Sequence, residues 1–185
     1  MFTGMIETFV PVKKRTESSL VVQNPFKEDL TIGQSIACNG ACLSVVHFTK
    51  GEIEFDVLSE TFRCTNLGSA LFVNLERAML AGGRFEGHIV LGHIDEMVFF
   101  LKKKEEESGV EFLFSLPKSM QYIVRKGSIS LNGVSLTVGN ITNKTFSVFL
   151  IPLTLEHTNL SRLQEGDEVS LEYDYLGKLV LSKSF

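Results

Sequence analysis

Ser35 to Val45 reads SIACNGACLSV, and 93 residues further on Ser128 to Val138 reads SISLNGVSLTV. Ser, Ile, Asn, Gly, Leu and Val recur at matching places, so six of the eleven positions are identical. The register holds without a gap to Leu67 and Leu160, with eleven identities in 33 aligned pairs; chance at ordinary residue frequencies gives about two. Thr65-Asn66-Leu67 returns as Thr158-Asn159-Leu160, and after a three-residue shift VNLERAML (Val73 to Leu80) returns as VSLEYDYL (Val169 to Leu176). A duplicated unit of about 90 residues is too long for a solenoid repeat and suits one small domain.

Outward from that core stretch, each unit reads as a run of short strands. The chain opens on Met1-Phe2-Thr3-Gly4-Met5-Ile6-Glu7, an apolar segment of the kind that ties an N-terminus into a sheet. Gly4-Met5-Ile6-Glu7 has its counterpart in Gly92-His93-Ile94-Asp95. The charged blocks Lys13 to Ser19 and Lys102 to Gly109 read as solvated hairpin tips. Leu20-Val21-Val22 and Phe112-Leu113-Phe114 read as second strands. Asn24-Pro25, with Lys27-Glu28-Asp29 behind it, is a helix-start signal, echoed by Ser115-Leu116-Pro117; Gly33 and Gly127 keep those helices short. Asn39-Gly40 and Asn132-Gly133 each predict a tight turn or a kinked strand. Glu52 to Val57 alternates charged and apolar residues, as a strand wet on one face does, while Phe146 to Ile151 is apolar on both faces. The fold class expected is all-β: two tandem, homologous six-stranded antiparallel β-barrels over residues 1–96 and 97–185, joined by the glycine-rich Ala81 to His93, with a short C-terminal helix within Tyr175 to Phe185.

Composition narrows the function. Apolar content of 44% with 22% charged residues is that of a soluble globular chain. A net charge of −4 argues against nucleic acid, whose binding needs a basic surface, and aromatics interleaved with Lys and Arg along one barrel face are absent. No basic segment leads into an apolar run at the N-terminus, and no apolar stretch reaches the roughly 20 residues of a membrane span. Cys38, Cys42 and Cys64 form no C-x-x-C pair, and the expectation is reduced thiols in a cytoplasmic protein.

Four features carry chemistry. His88 and His93 lie in GHIVLGH, each beside a glycine that lets main chain approach a ligand. Imidazole titrates near neutrality, as a proton-transfer group must. Their spacing of five does not fit a helical metal pair, so no metal is expected. Cys42 with Ser44, and Ser135 with Thr137, set two polar side chains on one face of equivalent strands. That face is either a solvated barrel wall or a duplicated pocket for two similar molecules. There is no G-x-G-x-x-G, Walker or Ser-His-Asp pattern.

MFTGMIE, NGACLSV, GGRFEGHIVLGHIDE, KGSISLNGVSLTV and LIPLTLEHTNL together resemble the riboflavin synthase alpha-chain family, in that family's order and over essentially the whole chain. The resemblance implies dismutation of two molecules of 6,7-dimethyl-8-ribityllumazine to riboflavin and 5-amino-6-ribitylaminouracil, with no cofactor. It implies a homotrimer whose working site lies between the N-barrel of one chain and the C-barrel of the next, and leaves association with a lumazine synthase shell open. Carried over, the N-barrel pocket comprises Gly4, Met5, Ile6, Cys42, Leu43, Ser44, Asp56, Val57, Leu58, Ser59, Glu60 and Thr61. The C-barrel pocket comprises Gly92, His93, Ile94, Lys126, Ser135, Leu136, Thr137, Ile151, Pro152, Leu153, Thr154, Leu155 and Glu156, with Asp174 as a further contact. His93 and Thr137 would assist loss of a proton from one 7-methyl group. Water, Cys42 or Ser135 would add to ring carbon 7 of the other lumazine, and Phe2 belongs to the segment that closes the site.

Three departures from the family pattern stand out: Asn132 replaces an Asp, which removes a charge expected near the second pocket; Leu67 to Glu76 lacks the three extra residues that the second copy keeps with Gly166-Asp167; and the tail is short for a trimerising helix. The alternative function is a non-catalytic lumazine- or flavin-binding protein. Such relatives typically lose the GH…GH joint and one pocket, and both are intact here.

Overall fold

The computed structural model describes residues 1–26, 29–106 and 109–182. Six strands, β1 (Thr8–Arg15), β2 (Ser19–Gln23), β3 (Ser35–Cys38), β4 (Ala41–Phe48), β5 (Glu52–Asp56) and β6 (Phe72–Arg77), close into one antiparallel barrel. Six more, β7 (Glu96–Glu106), β8 (Gly109–Ser115), β9 (Ser128–Leu131), β10 (Val134–Ile141), β11 (Thr145–Leu150) and β12 (Glu168–Tyr173), close into a second. Around the first the order is β1-β2-β5-β4-β3-β6, and around the second β7-β8-β11-β10-β9-β12, the same path. Closure leaves neither barrel an open sheet edge.

The two quoted stretches are β-hairpins. Asn39 (φ 45°) and Gly40 (φ 83°) turn β3 into β4, and Asn132 (φ 47°) and Gly133 (φ 81°) turn β9 into β10. Positive φ at both central residues is the geometry that Asn-Gly accepts most readily. The two turns meet back to back. A methyl on Gly40 would stand 2.8 Å from Gly133 N, and one on Gly133 2.7 Å from Gly40 N, so only glycine fits.

An amide network surrounds this meeting point. Asn66 Nδ2 donates to Asn132 Oδ1 (2.9 Å), Asn159 Nδ2 to Asn39 Oδ1 (2.9 Å), and Asn74 Nδ2 to Asn132 O (2.9 Å). Each of these bonds runs from one barrel to the other. The repeated Thr-Asn-Leu thus has a job for each residue. Thr65 and Thr158 donate to the carbonyls of Thr61 and Thr154 and close the helices α1 (Ser59–Cys64) and α2 (Pro152–His157). Asn66 and Asn159 enter the seam, and Leu67 and Leu160 are fully buried in the cores.

No helix follows Pro25 among the described residues, which corrects the helix expected there; Lys27 and Glu28 lie outside them. Asn24 Oδ1 accepts from Phe26 N (2.9 Å), a local turn that competes with helix formation. At the corresponding place in the second unit, after Ser115-Leu116-Pro117, there is a short 3-10 turn at Met120–Tyr122. The α-helices fall instead after β5 and β11, on segments read only as pocket lining. The C-terminal helix α3 spans Tyr175–Ser182. β5 alternates as expected; in β11 Phe146, Ser147 and Val148 are all buried while Phe149 is exposed.

Candidate functional site

Within β4 and β10 the burial alternates, and it places the candidate chemistry outside the barrels. Leu43 and Leu136 point into the cores, while Ser44 and Thr137 are exposed and Cys42 and Ser135 are half-buried beside them. Val57 is likewise a core side chain. A six-stranded barrel fills its interior with its own side chains. A ligand must therefore rest on an outer wall and be covered by something else.

Two straps supply part of the cover, and they cross. Gly4 O accepts from Ser135 N (2.8 Å), and Ile6 packs on the second barrel's core. Gly92 O accepts from Cys42 N (2.9 Å), and Ile94 packs on the first barrel's core. The sequence reading assigned Gly4, Met5 and Ile6 to the N-barrel and Gly92, His93 and Ile94 to the C-barrel; the structure exchanges them. The reason is contact distance. A methyl on Gly4 would stand 2.6 Å from Ser135 Cβ and one on Gly92 2.5 Å from Cys42 Cβ, so glycine lets each strap lie flat on the other barrel. Phe2, fully buried, bridges to Val90 and locks one strap to the other. Met5 and His93 are left exposed on the straps.

His88 lies beside the first strap, its N–H donating to Thr3 O (3.1 Å). Its Nδ1 is 2.7 Å from Ser135 Oγ, the residue is 7% exposed, and Nε2 is buried with no hydrogen-bond partner among the described residues. Burial pushes the imidazole below its ordinary range, with Asp174 opposing, so the ring is neutral near pH 7. A neutral imidazole against a hydroxyl is the arrangement of a base and a nucleophile. At Cys38, burial and then the neighbouring Cys42 push the thiol well up, which leaves it an inert core residue.

Sequence reasoning singled out His88 but left it off the site set, and it missed Glu76 and Glu172 altogether. The latter signal was legible. Both acids follow the same apolar-polar-Leu pattern in the repeat, and both are buried, at 4% and 1% exposed. Their carboxylates accept the main-chain N–H groups of Thr3 and Gly4 and of Leu91, Gly92 and His93. Burial pushes both carboxyls up, against the lowering effect of those bonds.

Lys126 and Thr137 share a cavity of about 390 Å³ with Arg125, Gly139, Asn140 and Phe149. Asp56, Leu58, Ser59 and Glu60 are exposed at the mouth of α1, with Thr61 half-buried. Ile151, Pro152, Leu153 and Glu156 are exposed around α2, with Thr154 and Leu155 half-buried. A larger cavity, about 430 Å³, lies in the seam between barrels and holds none of the candidate residues. Asn132 lines that seam cavity, its Oδ1 accepting from Asn66 Nδ2 and Ser170 N.

Two closed barrels of one topology, each with a polar outer wall and a strap from its twin, define a tandem ligand-binding protein. The family described as the lumazine binding domain matches residues 3–78 and again 91–174. Solved structures of LumP are similar in fold. The one complexed with 6,7-dimethyl-8-(1'-D-ribityl) lumazine has a TM-score of 0.83 at 23% identity, over 93% of this chain and 98% of that one. Among curated relatives, the riboflavin synthase of Actinobacillus pleuropneumoniae is 41% identical over 97% of this chain and 88% of that protein. Those of Bacillus subtilis (40% identical, 96% and 87% covered) and Escherichia coli (36%, 94% and 87%) align similarly. The chain belongs to the riboflavin synthase family.

Proposed function

We propose that this chain is a riboflavin synthase. It moves a four-carbon unit between two molecules of 6,7-dimethyl-8-ribityllumazine and releases riboflavin and 5-amino-6-ribitylaminouracil. The observation that carries the reading is the pair of like walls, Cys42 with Ser44 and Ser135 with Thr137, each overlaid by a glycine strap and each with a short helix after the next strand. A reaction between two copies of one substrate needs two such sites face to face. In this reading residues 1–96 and 97–185 are the two substrate-holding units.

The roles divide accordingly. His93, exposed on the strap over Cys42, takes the proton from a 7-methyl group with Thr137 assisting, and Lys126 steadies the substrate on the second barrel. Ser135 adds to ring carbon 7 of the other lumazine. The observation favouring Ser135 over Cys42 is the neutral His88 ring 2.7 Å from its hydroxyl. His93 stands over the first barrel and Thr137 on the second, so their cooperation supports a site shared between chains. Leu176, Val180 and Leu181, exposed on α3, offer an apolar face for a homotrimer.

Incubation with 6,7-dimethyl-8-ribityllumazine alone is expected to yield riboflavin absorbance and fluorescence. Binding without turnover would instead identify a carrier. Activity per chain is expected to fall on dilution as subunits separate; full activity in a species that sediments as a monomer would overturn the shared site.

A further inference from the structure

Glu76 and Glu172 have no part in the chemistry just described, yet each is enclosed and each is committed to a strap. Glu76 Oε1 accepts from Thr3 N (2.7 Å) and Thr3 Oγ1 (2.8 Å), and its Oε2 from Gly4 N (2.9 Å). Glu172 Oε1 accepts from Leu91 N (2.7 Å), and its Oε2 from Gly92 N (3.0 Å) and His93 N (3.2 Å). Beyond each carboxylate the strap crosses the seam, and its glycine carbonyl accepts from Ser135 N or Cys42 N in the other barrel. There is no slack in either crossing, since a single methyl on Gly4 or Gly92 would overlap the facing Cβ.

Resting on the proposed function, we infer that Glu172 is a positioning residue for the first barrel's site, setting where His93 stands over Cys42, and that Glu76 does the same for the second barrel's Ser135. Each acts from the barrel that does not carry the wall it serves. Main-chain donors meet both oxygens of each carboxylate, a pattern that an anion satisfies and an amide does not. Glutamine has one acceptor oxygen, so at position 172 its NH₂ would face either Leu91 N–H or the N–H groups of Gly92 and His93. The enclosed position itself supports a role. An enclosed carboxylate is disfavoured by burial, and packing alone is served as well by an apolar side chain.

The test is a crossed pair, Glu172→Gln and Glu76→Gln, read by turnover, by lumazine binding and by amide hydrogen exchange in the full chain. In Glu172→Gln, kcat should fall on the order of tenfold to a hundredfold, as about 1 Å of misplacement does, while the dissociation constant of the lumazine stays near wild type. Protection should be lost at the Cys42 amide, in the opposite barrel, and kept at Ser135; Glu76→Gln should give the mirror pattern. A residue that only packs its own barrel would lower stability and leave the opposite amide protected. Wild-type kcat in a folded Glu172→Gln, or loss of Cys42 protection without loss of turnover, overturns the inference. If that variant does not fold, Gly92→Ala keeps the carboxylate and pushes the strap off Cys42. The same loss of kcat is then expected, and wild-type kcat there overturns the inference equally. Should the wild-type chain fail to convert lumazine, the functional reading falls, while the exchange pattern still reports on the clamp.

Discussion

Gly33 and Lys126 hold the same place in the two barrels, 93 residues apart, and the same main-chain conformation, with φ of 84° and 67°. The bonds around them match: Gly33 N donates to Val45 O and Lys126 N to Val138 O, both at 2.8 Å. The first barrel fills this left-handed position with the residue that tolerates it. The second fills it with a lysine, at a strain of about 1 kcal/mol or more, and gains a cation on the wall of the Thr137 cavity. The duplication preserved the backbone, and the two copies then diverged in what they offer a ligand. The cores diverged as well. Where the first barrel sets Val12, Val22 and Ile53 side by side, the second sets Phe100, Phe114 and Phe146, with ring centroids 5.5–5.6 Å apart.

The comparison breaks most visibly at His93. His93→Gln is expected to leave lumazine binding nearly unchanged and to lower turnover by about 10²–10⁴-fold, the usual range for general acid–base assistance. Wild-type turnover in a normally folded variant would remove His93 from the reaction. Next in size is the core. Phe114→Ala should cost about 3–5 kcal/mol, and Val22→Ala, at the equivalent and equally buried site, distinctly less. Equal losses in urea unfolding would contradict the reading that the second barrel depends on its aromatic cluster.

Lys126→Gly tests the divergence at the cavity itself. Stability should rise by about 0.5–1 kcal/mol as left-handed strain is relieved, offset in part by the freer unfolded chain. Lumazine binding should weaken by at most about fivefold, as suits an exposed charge. A variant with unchanged stability would mean that the lysine carries no strain.

The smallest effect is in pH dependence. Burial holds His88 below its ordinary 6.5, so just below that value the unfolded chain binds a proton that the folded ring resists. His88 therefore makes stability fall as pH drops through about 6.5, and His88→Gln should flatten that part of the profile. Glu76 and Glu172 act with the opposite sign. Raised above 4.5, they hold protons in the folded state that the unfolded chain releases, so their contribution is lost as pH rises above that value. Urea midpoints across pH 4–7 separate the two windows, and an unchanged slope in His88→Gln would sink the assignment.

The sequence by itself determined the duplication, the six strands of each unit, the Asn-Gly hairpins and the pairing of Cys42 with Ser135. All of these are local or repeat-encoded. Side chains alternate across a strand with a period of two, Asn-Gly accepts positive φ within two residues, and a repeat needs only comparison of the chain with itself. The helix signal at Asn24-Pro25 failed because that Asn side chain engages Phe26 N–H, a choice between two local structures that the residue types alone leave open. The tertiary structure decided the rest. Which barrel each strap covers depends on Gly4 meeting Ser135 and Gly92 meeting Cys42, contacts between segments far apart in the chain. The same holds for His88, made neutral by enclosure against Ser135, and for Glu76 and Glu172, whose partners are main-chain groups. Main-chain donors carry no residue identity, so no pattern of side chains announces where they will point.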